Sequence, residues 1–318
     1  MAAVWRAAGH PADAALAARA ADRLGGGLRA AVRRSQVRLA DGSLFFGVRL
    51  LDGETAYPAV TSSREGSYWN LVAPYAFASG LFAPGSLEAR GALRYLALHG
   101  THLLGLVRAS AFAIYRNPTF PTSGTDEVYG LNTARFLADN GEADQLVLRL
   151  YGELAGAMTE NTFVSGEGAT VSPLDGQRYR AMYLPPSSAT NDAFLETLRS
   201  TLLHETRDAR TTPIGLELAP ATPRGWLAAG KTIAVDRAPT SFGPLSYSLV
   251  SRPGVVHVTV VAPPRAPRRL VLHLRLPGRE RLTTVRLAGR PLTRFNRSAE
   301  SIDLSGRKGT LTLEVFHT

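Results

Sequence analysis

Residues 61–80, TSSREGSYWNLVAPYAFASG, pass from a Ser-rich, acidic lead-in to a segment that is apolar on every side of a helical wheel. A helix of that kind belongs in a protein interior, so residues 68–80 are expected to form a buried inner helix, kinked at Pro74, with its N-terminal end facing a pocket. Residues 87–108 have a different pattern. Leu93, Leu96, Leu103 and Leu104 oppose Glu88, Arg90 and Arg94, which predicts an outer helix with one wet face. Residues 126–140 and 142–160 repeat the pair about a turn at Gly141, and residues 189–207 supply a third inner helix. An Ala-rich helix over residues 11–36 precedes them all, with Pro11 suited to its first turn and Gly25 to Gly27 weakening its middle.

The inner helices start roughly 60 residues apart, as a repeated helical hairpin would. Short turns within each hairpin put the long connections, residues 37–67, 109–125 and 161–188, at one end. Connections of that length in a compact protein tend to carry function, so distant parts of the sequence are expected to meet there. Residues 221–230, ATPRGWLAAG, read as a last short helix. From Lys231 the period becomes two, in LSYSLVS, VVHVTVV, RRLVLHLRL, TTVRL and TLTLEVF between Pro and Gly turns, which predicts an antiparallel β-sandwich. The chain therefore reads as mainly α plus β: helical hairpins over residues 1–230 and a β-sandwich over residues 231–318.

Composition narrows the chemistry. The absence of cysteine excludes disulfides, thiolate metal ligands and a cysteine nucleophile. A net charge of +10 and a pI of about 10.3 would ordinarily raise nucleic acid as a partner. However, the basic residues are almost all Arg, with Lys only at 231 and 308, and they are scattered without a basic run, so no nucleic-acid partner is expected. Residues 1–24 lack the continuous apolar core of a signal peptide, and no segment reaches a membrane-spanning length. The expectation is a soluble, cytoplasmic protein with no membrane partner.

An array of helical hairpins with long loops on one face, closed by a small β-sandwich, resembles the six-hairpin glycosidases, the (α/α)6-barrel clan of glycoside hydrolases. The resemblance rests on residues 61–80, on TSGTDEVYGLN (122–132) and VSGEGATVSPL (164–174), and on the junction GLELAPATPRGWLAAGKTIAVDRAPTSFGPLSYSL (215–249). It implies an (α/α) toroid, an oligosaccharide, polysaccharide or glycoside substrate, hydrolysis by a pair of carboxyl groups, and no cofactor. A complete toroid of this clan has six hairpins, and only about three and a half precede the sandwich. The chain thus resembles the C-terminal part of a longer enzyme or a shortened relative, with an N-terminal half or a second copy as its expected partner.

Glycoside hydrolysis generally uses two carboxyl groups flanking the scissile bond, and each long connection offers acidic candidates: Glu65, then Asp126 with Glu127, then Glu167. Ser62 and Glu65 also have capping-box spacing. Ser123 and Asp126 repeat that spacing, and acids in a first turn are favoured by the helix dipole. Glu167 lies between two glycines in SGEGA with no helix to cap, and it ranks first as acid or base, ahead of Glu65. Arg64, Tyr68, Trp69, Asn70, Tyr129, Asn132, Arg178, Tyr179 and Tyr183 are the candidate substrate-binding groups, the rings to stack on sugars and the rest to bind hydroxyls or an acidic sugar. Core packing is the competing role for the rings and surface charge for the arginines.

His99 and His102, three apart on the predicted outer helix, lack a third ligand and read as structural, so no metal site is expected. Neither a nucleophile elbow nor a phosphate or dinucleotide loop occurs. Two alternatives stand beside the hydrolase. A polysaccharide lyase or sugar epimerase on a similar toroid would replace the carboxyl pair with groups such as Tyr129, Asn132 and Tyr183, and a non-catalytic glycan-binding remnant would need neither.

Overall fold

The structure, a computed structural model, describes residues 1–49, 53–109, 124–171, 173, 178, 180–208 and 211–318. It opens with α1 (Ala2–Ala7) and α2 (Pro11–Ser35), the latter uninterrupted by its three glycines but burying only Ala14 and Val32. α3 (Arg64–Ala78) begins earlier than the apolar run because Ser63 caps it, accepting the Gly66 N–H at 3.0 Å. Ser62 instead donates to the Ala59 carbonyl, and Glu65 is exposed with no capping bond among the described residues. Ser63→Ala is accordingly expected to cost about 1 kcal/mol in urea unfolding and Glu65→Ala almost nothing; equal costs would restore the Ser62–Glu65 box.

The expectation that α3 is buried on every side needs correction. Trp69, Asn70, Ala73 and Phe77 are buried, but Tyr68, Val72 and Tyr75 are 44%, 46% and 54% exposed. Their i, i+4, i+7 spacing makes one stripe along the helix.

α4 (Leu87–Leu98) is capped by Ser86 and ends well short of residue 108. After His99 the chain turns through Gly100 into a hairpin of strands His102–Leu103 and Leu106–Ala109. Both residues between them, Leu104 and Gly105, have positive φ, the conformation of a two-residue hairpin turn. Next come α5 (Gly130–Asp139), α6 (Ala143–Gly152), which runs into a π-helical turn Glu153–Ala157, and α7 (Ser188–Leu202), capped by Ser187. α3 packs on α5, and α5, α6 and α7 pack on one another. Phe45, Phe46, Trp69, Phe77, Phe82, Tyr95 and Phe136 form an aromatic core, in which Phe77 stacks on Phe136 with centroids 4.6 Å apart.

Residues 124–126 do not start a helix. They form a strand in a five-stranded antiparallel sheet with His102–Leu103, Leu106–Ala109, Gly168–Thr170 and Met182–Tyr183. Parts of two of the long connections are thereby joined edge to edge. The first connection is held nearby, with the Val60 N–H on the His99 carbonyl at 2.9 Å and the Asn70 amide on the carbonyls of Thr101 and Arg108, both at 2.7 Å.

The C-terminal part has a six-stranded and a five-stranded sheet that share one apolar core. Alternation within Leu245–Arg252, Val255–Val261 and Thr310–His317 turns every second side chain into that core. Two strands of this assembly lie ahead of the alternating text. Leu203–Arg207 and Pro213–Leu218 belong to the five-stranded sheet, and the predicted helix over residues 189–207 stops at Leu202 because Leu203 turns extended to pair with Leu218. One pairing, Pro213–Leu218 with Arg269–His273, is parallel. Arg275 pairs with Asp144, and His204 with Asp139 at 3.0 Å, fastening the helices to the sheets. Among the described residues no helix is long and apolar enough to cross a membrane.

Candidate active site

The small sheet brings Asp126 and Glu167 together. Asp126 pairs in register with Gly168, the Glu127 N–H donates to the Glu167 carbonyl at 2.9 Å, and the Glu167 N–H donates to the Tyr183 carbonyl at 2.8 Å. The residue before Glu167 has to be glycine for this: a Cβ on Gly166 would overlap the Met182 side chain and lie 2.7 Å from the Tyr183 carbonyl oxygen.

Asp126 is fully buried, and among the described residues no side chain hydrogen-bonds either carboxylate oxygen. Burial, and after it the neighbouring Glu167, push its carboxyl up to about 8, against the opposing pull of the Val128 and Tyr129 N–H groups. At neutral pH Asp126 therefore keeps a proton. Glu167 is partly open to solvent. The Tyr129 hydroxyl is raised from its ordinary value by burial and then by Asp126, Tyr75, Glu167 and Tyr68, so these five side chains share one neighbourhood. Tyr75 meets Tyr129 edge to face at 6.2 Å, and the Arg64 guanidinium sits 5.6 Å from the centre of the Tyr68 ring.

Glu127 faces a different environment. It forms a fully buried trio with Arg149 and Glu153: Arg149 Nη2 reaches Glu127 Oε2 at 3.1 Å and also Glu153, while Nη1 donates to the Gly105 carbonyl at 3.2 Å. Burial pushes the Glu127 carboxyl up to about 8 even though Arg149 draws it down, and Glu153 and Asp126 add to the rise. The guanidinium lies where a Cβ on Gly130 would be, so this charge is packed directly beneath the start of α5. Held by the Arg149 guanidinium on the side of the trio, Glu127 anchors the segment that carries Asp126.

The remaining candidates disperse. Trp69 and Asn70 are core residues whose side-chain N–H donors are spent on backbone carbonyls, the Trp69 Nε1 on Phe46 at 2.8 Å. Asn132 is half-buried in the first turn of α5, Tyr183 is half-buried on its strand beside Glu167, and Arg178 is exposed. Tyr179 lies outside the described residues. Glu65 is exposed on α3, one turn before Tyr68. His99, at the end of α4 and not within it, contacts Asp41 at 3.0 Å and the carbonyls of Tyr57 and Pro58, and His102 sits on a strand beside Thr101. Among the described residues no group of three or more His, Asp or Glu side chains could hold a metal.

Sequence reasoning missed the roles of Arg149, Glu153 and Tyr75. Arg149 and Glu153 have the i, i+4 spacing of an ordinary surface pair, and nothing local to the sequence marks that pair as buried. Tyr75, a phenol within an apolar run, carries no motif of its own.

No family model matches the chain, and no curated protein matches it. Among solved structures it is similar to a GH127 β-L-arabinofuranosidase from Geobacillus stearothermophilus T6, at 17% identity and a TM-score of 0.40 over 80% of this chain and 42% of that one. A structure described as a glycoside hydrolase matches at 12% identity and a TM-score of 0.38, covering 78% and 46% of the two chains. A GH127 β-arabinofuranosidase matches at 10% identity and a TM-score of 0.37, covering 78% and 42%. The chain spans less than half the length of each of these proteins.

Proposed function

We propose that this site hydrolyses a glycosidic bond, with Asp126 as the proton donor and Glu167 as the base or nucleophile. The observation that carries the reading is Asp126: a fully buried carboxyl with no side-chain partner among the described residues, held protonated up to about pH 8 beside a second carboxyl that reaches solvent. In the reaction the Asp126 proton passes to the glycosidic oxygen as its bond to the anomeric carbon breaks. Glu167 either deprotonates the water that attacks that carbon or attacks it directly, to be released by water in a second step. The resemblance of residues 122–132 and 164–174 to the six-hairpin clan supports the same assignment. In this reading α3, α5 and α7 are inner walls of an (α/α) toroid, and the two C-terminal sheets are its β-sandwich.

The lyase and epimerase readings need a base. Tyr129 serves them poorly, because burial keeps its proton in place, which suits it to donate a hydrogen bond to a sugar hydroxyl. A panel of aryl glycosides tests the proposal. Turnover is expected with at least one of them, kcat/KM should fall above about pH 8 as Asp126 ionises, and Glu167→Gln should lower kcat by roughly 10²–10⁴-fold. Full activity in Glu167→Gln, or an unsaturated sugar product in place of a reducing end, would sink it.

A further inference from the structure

We infer that the exposed stripe of α3, Tyr68, Val72 and Tyr75, is a stacking strip for an oligosaccharide of at least two rings, which runs from the Asp126–Glu167 pair toward Arg64. The inference rests on the reading of that pair as a carbohydrate site and adds the size and direction of its ligand.

Continuity with the carboxyl pair comes first. Tyr75 contacts Tyr129, and Tyr129 lies in the field of Asp126 and Glu167 with Tyr75 and Tyr68 beside it. Length comes second: Tyr68 and Tyr75 are seven residues apart, about 10 Å along the helix axis, more than one sugar ring covers. The chemistry of the surface distinguishes the stripe from the other exposed apolar face. The long α2 also exposes an apolar face, but its residues are the aliphatic Leu16, Leu24 and Leu28, which suit a protein surface. The α3 stripe instead carries two phenols, which offer a flat apolar face for the C–H side of a sugar and a hydroxyl for its rim. At the outer end stands Arg64 over Tyr68, with no acidic partner among the described residues. Its planar fork of N–H donors fits a carboxylate or neighbouring hydroxyls on the second ring.

The test is a glycan array bearing neutral and uronate-containing chains of one to four rings, probed with the full chain and with Tyr68→Ala, Tyr75→Ala and Arg64→Ala. Tyr68 and Tyr75 are exposed, so truncating them opens no core cavity, and unfolding curves verify that. Two-ring chains are expected to bind about tenfold more tightly than single rings. Tyr68→Ala should abolish that gain while leaving single-ring binding intact, Tyr75→Ala should weaken both, and Arg64→Ala should weaken the longer chains alone. Equal binding of one and two rings overturns the strip, as does a Tyr68→Ala variant that keeps the gain. Absence of all glycan binding, with a change of oligomeric state in Tyr68→Ala by sedimentation, overturns it in favour of a protein contact. Ring-dependent binding without turnover of any glycoside leaves the strip standing and removes the hydrolase. Turnover lost in Asp126→Asn with no dependence on ring number does the reverse.

Discussion

Asp126→Asn is expected to stop turnover and, in the same protein, to raise the melting temperature. Losing a positioned general acid lowers the rate by roughly 10²–10⁴-fold. The loss should be smallest for an aryl glycoside whose leaving group departs as a stable anion, because that reaction needs no proton. The gain in stability follows from the carboxyl's environment. Its value in the fold is about 8, against about 3.9 in an unfolded chain, so between these limits the native state holds a proton that the unfolded state lacks. Stability from this group is fully present below about pH 4 and is lost as the pH rises toward and through 8. Asn cannot ionise, it removes the repulsion with Glu167, and its side-chain oxygen remains available to the Val128 and Tyr129 N–H groups. The melting-temperature difference between variant and wild type should therefore be small at pH 4.5 and clearly in the variant's favour at pH 8. A constant difference across that range would mean that Asp126 is not the group holding the proton, and the assignment of the acid would fall with it.

The parts of the molecule legible in the sequence are those whose pattern is set by near neighbours. The strands Leu245–Arg252 and Val255–Val261 have a strict period of two because a single shared core lies on one side of them. Leu203–Arg207 carried no such mark: the apolar pair Leu202 and Leu203 continues the α7 pattern, and the strand pairs with residues that themselves run parallel to a segment some fifty residues on. At the site, Glu167 was singled out because its glycine-flanked loop offered no ordinary task. Asp126 looked like a helix-start acid, since a Ser three residues before an acid has the same spacing whether a helix or a strand follows. What separates the two cases is pairing with Gly168, a contact that no window along the chain contains. Likewise, the all-round apolar text of α3 suggested complete burial. Of its hydrogen-bonding side chains, Tyr68 and Tyr75 lie on the face that is open while Trp69 and Asn70 are buried, a division that the sequence pattern alone does not show.

Arg149→Met is expected to be the most damaging single substitution in the helical part, costing about 3–5 kcal/mol in urea unfolding. The guanidinium is fully buried between Glu127 and Glu153, also fully buried, and donates to the Gly105 carbonyl. Met fills much of the same volume, so the cost is electrostatic: two carboxyls lose the Arg149 counter-charge and must both be protonated in a dry site. The trio is already unbalanced, two acids against one base; burial raises both carboxyls from their ordinary values, and Glu153 and Asp126 raise that of Glu127 further. Glu153→Gln leaves one acid facing one base and is expected to cost much less than Arg149→Met. Combining Arg149→Met with Glu127→Gln and Glu153→Gln removes every charge, and most of the single variant's loss should return. If the three changes simply added, the cluster would be three separate packing sites, and a charge-coupled anchor for Asp126 would be excluded. If they compensate, the variant also separates stability from positioning. A refolded but neutral trio should still let the segment from Asp126 to Gly130 drift, because the bond from Arg149 Nη2 to Glu127 that fixes it is gone. Turnover would then stay low even with unfolding stability restored.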